Sequence, residues 1–539
     1  MSPVRHGRRL YKQMALEVAV RNPERYDDIL KTFSRFRGTV LNDDGILDVF
    51  AQLYIDGVVT NRDLDVATAT VDEVKTFITE NISHNNEWGY PTGYQAGFTR
   101  YLKTLSEFGF IYAQYGQPLR LSEVAEAVIS GTISLSEAFA VQSMRFWRKS
   151  PYRRVLNDFN FFKFIIDVIR RRNEAGHRLS YPQFMLALFS DDGNVDDFLR
   201  LIEENRCGNS MDDTYTLVHR MYHLVDAEHS KVNKQQTAFN DYGNTVFRVL
   251  QLTGFVTVEY DGMIMLSVNT RRMRLYDELC AMDFSLDEAT KDDLSGYFRR
   301  LGFLSSEILR CLEQNRDIQR RLVGSYNEKL ESIVRDYNLT EEILAEYLTE
   351  VSRGAKDRRA FWFMQVPLKF EFLLSLYLYV CFGEDYEYKP NYICDDAGIP
   401  YSHAPGNIGD IEIFNQEFYW LIEATLIKSR NQQLNAETIN LFRHLDNTRS
   451  RTRYMSLIAP YIHDDTALMI KAATIVTMLE QHNLLFAKPY NTEDYIFHMT
   501  NRDIVHDMRS NTMEFVGRMG EMLHSMNQNY ICSRLPESE

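Results

Sequence analysis

The chain has 539 residues, 45% of them hydrophobic and 25% charged, the balance of an ordinary globular protein long enough to bury more than one core. Its formal net charge of −15 excludes a surface that is positive all over, so affinity for nucleic acid has to come from local patches. The longest apolar run of aromatic character, FLLSLYLYVCF at 372–382, is well short of the roughly 20 residues a membrane span needs. No membrane partner is expected. The basic start MSPVRHGRRLYKQ has no apolar stretch behind it, and the six cysteines lack CxxC or Cys/His spacing. Reduced thiols in a cytoplasm are therefore expected, without disulfides or structural zinc. No P-loop, dinucleotide or nucleophile-elbow motif is present.

Along the chain, one pattern of amphipathic helix, junction, strand, turn and strand occurs three times. The first copy is FTRYLKTLSEFGFIYAQYGQPLRLS (98–122), with Tyr115-Gly116 at the turn. The second is TVFRVLQLTGFVTVEYDGMIMLSV (245–268), where Asp261-Gly262 is a strong two-residue turn signal. The third and weakest is ATIVTMLEQHNLLFAKPYNTEDYIFHMT (473–500). Helical spacing that gives way to strand-type enrichment is the pattern of a winged helix, although such units also serve as scaffold. Between the first two copies lies MRFWRKSPYRR, where Arg145, Arg148, Lys149, Arg153 and Arg154 alternate with aromatics and no acid intervenes. Guanidinium forks bind phosphate and guanine edges, which makes this the expected DNA-contacting patch. Arg35 and Arg37, and Arg170 to Arg172 with His177 and Arg178, are weaker candidates, since short charge runs usually face water. The expected organisation is two winged-helix-like subdomains at 1–140 and 141–279, a charge-rich helical connector at 280–350, and a C-terminal domain at 351–539.

The C-terminal domain carries acids in apolar surroundings. In PLKFEFLLSLYLYV (367–380), Glu371 stands inside a helix that is apolar nearly all round, and burial obliges it to find a partner. In PGNIGDIEIFNQEFYWLIEATL (405–426), a hairpin closed by Asn415-Gln416 sets Asp410 opposite Leu421 with Glu423 as its diagonal neighbour on the same face. An odd change in loop length breaks that parity, while an even one keeps it. Carboxylates that converge in low dielectric repel unless one is protonated or a cation sits between them, and hard oxygen donors select Mg²⁺ or Mn²⁺. Downstream, SRNQQLNAETINLFRHLDN (429–447) reads as a helix with Gln433, Glu437 and His444 close to one face.

PGNIGDIEIF, WLIEATL and ETINLFRHL resemble the blocks of the AlwI-like restriction endonucleases, a Type IIS family that includes strand-nicking enzymes. The resemblance covers the last third of the chain well and the rest in architecture only. It implies an α+β multidomain protein: winged-helix-like recognition modules, a connector, and a C-terminal PD-(D/E)xK nuclease domain with a mixed central sheet. It implies Asp410, Glu423 and Glu371 as metal ligands and Glu437 as a further catalytic carboxylate. The class places a lysine two residues after the second acid, where this chain has Thr425; Lys428, Gln433 or Glu437 through a water are the open substitutes. The activity implied is Mg²⁺-dependent cleavage of double-stranded DNA at a distance from a short asymmetric site, with Mn²⁺ as a substitute ion and a prokaryotic cytoplasm as the setting. Alternatives are a nickase, or the large subunit of a heterodimer, with a transient homodimer or a small catalytic subunit as partner on DNA. From another class comes a non-catalytic winged-helix regulator.

Overall fold

The computed structural model describes residues 11–532 apart from 21–22, 24, 60–63, 65–68, 81–87, 154, 206–209, 226–234, 261–262, 285–292, 323–325, 356–360, 362, 405–407, 429, 431–432, 435–437, 444–451 and 483. The chain divides into two compact units, one of residues 1–323 with 394–402, the other of 324–393 with 403–539.

In the first unit, α1 (Tyr94–Glu107) leads into the antiparallel pair β1 (Ile111–Tyr112) and β2 (Arg120–Leu121). Helix α2 (Leu135–Arg145) starts at a capping box in which Ser134 and Glu137 satisfy each other's backbone N–H groups. It is followed by α3 (Phe161–Glu174) and β3 (Leu179–Ser180). Then α4 (Gln235–Leu252) precedes the second hairpin, β4 (Val256–Tyr260) with β5 (Ile264–Val268), and β3 pairs with β5 to make three strands. The first two helix-and-hairpin copies are therefore present; the turn at Asp261-Gly262 lies outside the described residues. They are not separate subdomains. Both lie in one compact unit, where Phe108 of the first copy packs on Phe146 at the end of α2 and on Phe162 of α3.

The expected connector is divided. Helices α5 (Thr270–Ala281), α6 (Leu294–Leu301) and α7 (Ser306–Leu322) belong to the first unit, where the Arg316 guanidinium holds Glu137. Helices α8 (Tyr326–Asp336) and α9 (Glu341–Arg353) belong to the second. There Asn327 donates to the Tyr386 carbonyl at 2.8 Å, and Arg502 pairs with Glu341 at 2.6 Å. A boundary near 323 replaces the expected one at 350, because each half of the helical stretch buries its apolar face on a different core.

The second unit is built on α10 (Val366–Phe382), which is buried along most of its length. Val366–Asp385 is long and apolar enough to cross a membrane by composition, but 67% of that window is buried inside the fold, as befits a core helix. The strands that follow along the chain are β6 (Glu387–Pro390), β7 (Ile393–Cys394), β8 (Pro400–Ser402), β9 (Ile411–Phe414), β10 (Phe418–Ala424) and β11 (Thr452–Ala459); β7 and β8 pair with each other, and residues 394–402 belong to the first unit. Helix α11 (Asp464–Gln481) leads to β12 (Leu485–Ala487) and β13 (Tyr490–Asn491), and α12 (Thr492–Thr500) and α13 (Ile504–Cys532) follow. The central sheet has the order β12-β11-β10-β9-β6. It is mixed: β6, β9 and β10 run antiparallel, while β10, β11 and β12 run parallel. Successive residues of a strand point to opposite faces, and β10 shows this directly. Trp420 meets Phe382 of α10, while Leu421 joins Leu457 and Ile470 of α11 in a buried cluster.

The third helix-and-hairpin copy is not one. Both β12 and β13 pair parallel with β11, at Arg453↔Leu485 and Ile458↔Tyr490. The stretch is a strand, helix and strand crossover completing the main sheet, because its short apolar strands are buried and a parallel neighbour needs a long connection.

Segment 394–402 completes the first unit from a distance in sequence. Buried Asp395 accepts from the backbone N–H of Val258 and of Ile399, both at 3.0 Å, and Asp396 caps Thr270 at 2.8 Å. Asp395→Ala is expected to destabilise the first unit by about 1–3 kcal/mol, because it strands two buried N–H donors. Urea unfolding followed by the aromatic signal checks this; an unchanged midpoint would refute the bracing role.

Candidate active site

The site forms where β9 and β10 meet. The hairpin pairs Tyr419 with Phe414 and Leu421 with Glu412, so continuing the register by two residues sets Asp410 opposite Glu423. The expected partner of Asp410 was Leu421. The turn is one residue further along than expected: Asn415 bonds Phe418 backbone to backbone, and its side chain accepts from the N–H groups of Glu417 and Phe418 at 3.0 and 2.9 Å. Because the shift is even, both acids keep a common face.

Each acid is held in place. Asp410 accepts at Oδ2 from the Ala424 N–H at 2.8 Å. Asn391 fixes the backbone around it, donating its N–H to the Asp410 carbonyl at 2.8 Å and its amide to the Gly409 carbonyl at 2.7 Å. Gly409 leaves room for the cluster: a Cβ there would run into Leu421 and come within 3.1 Å of Glu423 Oε1. Glu423 is only 5% exposed and Glu371, on α10, only 4%. Glu371 Oε1 lies 2.5 Å from His403 Nδ1, while its Oε2 is buried without a hydrogen-bond partner.

Electrostatics tie the three carboxylates together. Burial, then the charges of Glu371 and Glu423, push the Asp410 carboxyl well above the usual carboxylate range; the Ala424 N–H and His403 only partly offset this. Glu412, two residues on, goes the other way. Burial alone would raise it, but Lys389 at 2.7 Å, Asn391 at 2.9 Å and the Tyr419 hydroxyl at 3.1 Å hold it below the ordinary value. The contrast identifies Asp410 as the acid crowded by other acids.

Sequence reasoning missed His403. It sits in ordinary loop sequence 32 residues from Glu371, and only the packing of that loop beside α10 brings it to the cluster. Glu437 and His444 lie outside the described residues. Of the substitutes for the absent lysine, Gln433 is fully committed: buried, it donates to the carbonyls of Ile427 and Tyr461, each at 2.7 Å. Thr425 is buried and its hydroxyl accepts from the Ile427 N–H at 3.2 Å. Lys428 is exposed, and its carbonyl bonds to His463 at 2.9 Å. Among the described residues no three His, Cys, Asp or Glu side chains already stand as a metal-ligand set. The donors nonetheless suit a hard divalent ion, being carboxylate oxygens with one buried and unsatisfied.

The expected DNA patch is corrected. Arg145 is 7% exposed and donates to the carbonyls of Leu301 at 2.8 Å and Phe303 at 2.7 Å, and burial lowers its pKa to about 10. Arg148 is wholly buried against the carbonyls of Lys12 and Ser190. Arg153 pairs with Glu107 at 2.5 Å and Lys149 with Asp158 at 2.8 Å, while Arg154 lies outside the described residues. The aromatics in this stretch pull the arginines inward, and backbone carbonyls there satisfy the guanidinium donors. The weaker candidates are also paired: Arg35 with Asp56, Arg37 with Glu126, Arg170 with Asp277, Arg171 with Asp196 and Arg178 with Glu259.

Comparison with known proteins gives one family match: the model of the AlwI restriction endonuclease covers residues 106–361 and 346–497. No curated protein matches. Among solved structures, the chain is similar to the small subunit of the heterodimeric restriction endonuclease R.BspD6I, with 18% identity over 33% of this chain and 98% of that one, TM-score 0.25. It is also similar to the BpuJ1 endonuclease binding domain, solved in complex with pyrene- and phenanthrene-modified DNA, with 11% identity over 56% of this chain and 99% of that one, TM-score 0.30. At these scores neither structure carries an argument.

Two outcomes follow from the geometry. The carboxyl of Asp410 is pushed up in the folded chain from an ordinary unfolded pKa of about 3.9, so its ionisation withdraws stability from the metal-free protein as pH rises from about 4 towards its folded value. In EDTA, Asp410→Asn should therefore melt higher than the parent, by a margin that widens with pH over that window; a margin independent of pH would refute the crowding. Arg148→Gln should lower the melting temperature, because it leaves internal carbonyls unpaired. The salt dependence of DNA binding should stay unchanged; a flatter dependence in a folded variant would restore the patch.

Proposed function

Since the chain belongs to the AlwI restriction endonuclease family, its matched segments spanning 106–497, we propose that it is a Type IIS site-specific deoxyribonuclease that requires Mg²⁺, accepts Mn²⁺, and cuts at a distance from an asymmetric site. Restriction-enzyme membership makes it a DNA nuclease; the subtype, the ion and the role of each residue are the proposal. In this reading the first unit recognises duplex DNA through its winged-helix-type modules and the second is a PD-(D/E)xK hydrolase. The observation that carries it is the convergence of Asp410, Glu423 and Glu371, with the proton affinity of Asp410 raised by the other two. Buried carboxylates set against one another are poorly suited to a structural role.

Asp410 and Glu423 would hold the ion, with Glu371 contributing its unpartnered Oε2. Mg²⁺, when bound, supplies Lewis acidity and an acidified water for in-line attack at phosphorus. The protein's own part is positional. The Ala424 N–H orients Asp410, and His403 fixes one oxygen of Glu371 so that the other points where a ligand is needed. Thr425 stands where the class carries a lysine, and its hydroxyl is engaged by local backbone. The further carboxylate at Glu437 completes the proposed catalytic set. One such centre hydrolyses one strand at a time, so nicked circles and linear DNA are both products of this reading.

Incubation with supercoiled plasmid and Mg²⁺ tests the proposal: nicked circles or defined linear fragments support it, and inert plasmid refutes it. Glu423→Ala should abolish cleavage while leaving the mobility shift in Ca²⁺ intact. A variant that cut at the parental rate would remove Glu423 from the site. His403→Ala should slow single-turnover cleavage by roughly 10- to 100-fold, the usual effect of losing a residue that orients a ligand. His403→Gln, which keeps a donor, should recover part of the rate, and equal loss in both would argue against orientation.

A further inference from the structure

We propose that the cleft between α5, α6 and α7 of the first unit holds the phosphodiester backbone of duplex DNA, with Arg299, Arg300 and Arg310 as its phosphate ligands. The inference rests on the nuclease reading for the identity of the polyanion and supplies what that reading lacks, a surface to bind it.

Almost every described arginine side chain in the first unit is spoken for by a carboxylate, a side-chain amide or hydroxyl, or a carbonyl. Among the described residues, Arg100, Arg299, Arg300 and Arg310 are the exceptions, and all four are exposed. Three of these four line one cleft of about 1140 Å³. On a chain of net charge −15, a concentration of unpaired guanidinium groups is where a polyanion finds favourable potential, since a cleft focuses the field of the charges that line it. The acids of the same cleft are mostly engaged. Glu278 takes Arg274, Cys311 and Asn315, Asp293 caps the N–H of Ser295, and Asp283 also has a partner, so of the four acids lining the cleft Glu307 is the one a phosphate would chiefly have to avoid.

The backbone beneath two of the three ligands is held firmly. Arg299 and Arg300 occupy the last turn of α6, and Phe303, 52% exposed, follows one residue after the helix cap. That junction is bolted from below. Gln142 and Arg145 donate to the Leu301 carbonyl at 2.9 and 2.8 Å, Arg145 also to the Phe303 carbonyl, and Glu123 accepts from the Leu304 N–H at 2.9 Å. At Gly302 a Cβ would run into Ser122 and lie 2.7 Å from the Gly109 carbonyl. Buried Arg145 thus acts as the anchor of the loop that displays the free arginines, and Phe303 offers a flat apolar face beside them for a sugar or base edge. The backbone that carries Arg299 and Arg300 is thus ordered before DNA arrives, and binding has only the freedom of the arginine side chains left to restrict.

The test uses the full-length protein, a 30-base-pair duplex of arbitrary sequence, Ca²⁺ in place of Mg²⁺, and a series of NaCl concentrations. With each phosphate contact adding roughly 0.9 to the slope of log affinity against log salt, Arg299→Gln/Arg300→Gln/Arg310→Gln should lower that slope by about 2 to 3 and weaken binding in low salt by at least ~10-fold. Arg200→Gln, an exposed and ion-paired arginine on another helix, should leave both unchanged. A triple variant that is folded by circular dichroism and binds with the parental slope overturns the inference while the nuclease reading stands. Should the parent protein itself fail to bind duplex DNA, the nuclease reading falls and the cleft falls with it.

Discussion

One antiparallel register governs the second unit. Pairing Leu421 with Glu412 and Ile422 with Ile411 brings the residue before β9 level with the penultimate residue of β10, and those two residues are Asp410 and Glu423. A slip of one residue would send one acid to the opposite face and put an apolar side chain in its place. The register is secured at both ends. Asn415 ties the turn through two backbone N–H groups, and the Asn391 amide grips the entry to β9 at Gly409. Apolar alternation in between assigns Ile411, Ile413, Trp420 and Ile422 to one face and Leu421 to the other. Burial of those side chains outweighs the cost of setting two carboxylates side by side, so the fold can hold an arrangement that is unfavourable when considered alone.

That arrangement was readable in the sequence because a charge within an apolar strand is conspicuous. Asp410, Glu371 and Glu423 each stood out against Ile, Phe, Trp and Leu, and the parity argument survived an error of two residues in register since side chains alternate with a period of two. His403 left no such mark. Its partnership with Glu371 depends on where a loop lies after a long excursion of the chain, and no local periodicity encodes that. The two helix-and-hairpin copies were visible from spacing and turn residues, yet the third copy shows the limit of the same signal. A helix followed by two short apolar strands describes a hairpin module and a parallel crossover equally well, and the choice is made by which strand they meet, here β11.

The arginines teach the complementary lesson. A run of basic and aromatic residues reads as a nucleic-acid patch when all its side chains are imagined at the surface. In MRFWRKSPYRR, Phe146 and Tyr152 are core residues, and a chain that buries every few positions carries the intervening arginines down with them. Arginine tolerates this better than lysine, because five donors in a fixed plane can be matched by several carbonyls at once. The interior supplies those carbonyls at Lys12, Ser190, Leu301 and Phe303. Basic composition therefore says little about phosphate binding until partners are assigned.

Partner assignment also separates the two chemistries that a nuclease has to combine. At the candidate catalytic centre carboxylates crowd one another beside His403, and Glu371 has an oxygen with no protein partner, as expected of ligands for an ion. At the α5–α7 cleft, arginines are left unpaired on a rigid turn, as expected of ligands for a polyanion. Elsewhere in the described structure the opposite charges meet: Arg316 with Glu137, Arg153 with Glu107, Lys389 with Glu412, Lys488 with Asp507. The two sites differ in what they ask of a partner: the buried carboxylates of the second unit carry a desolvation cost that a cation would offset, while the exposed arginines of the cleft stay solvated until a polyanion replaces their water.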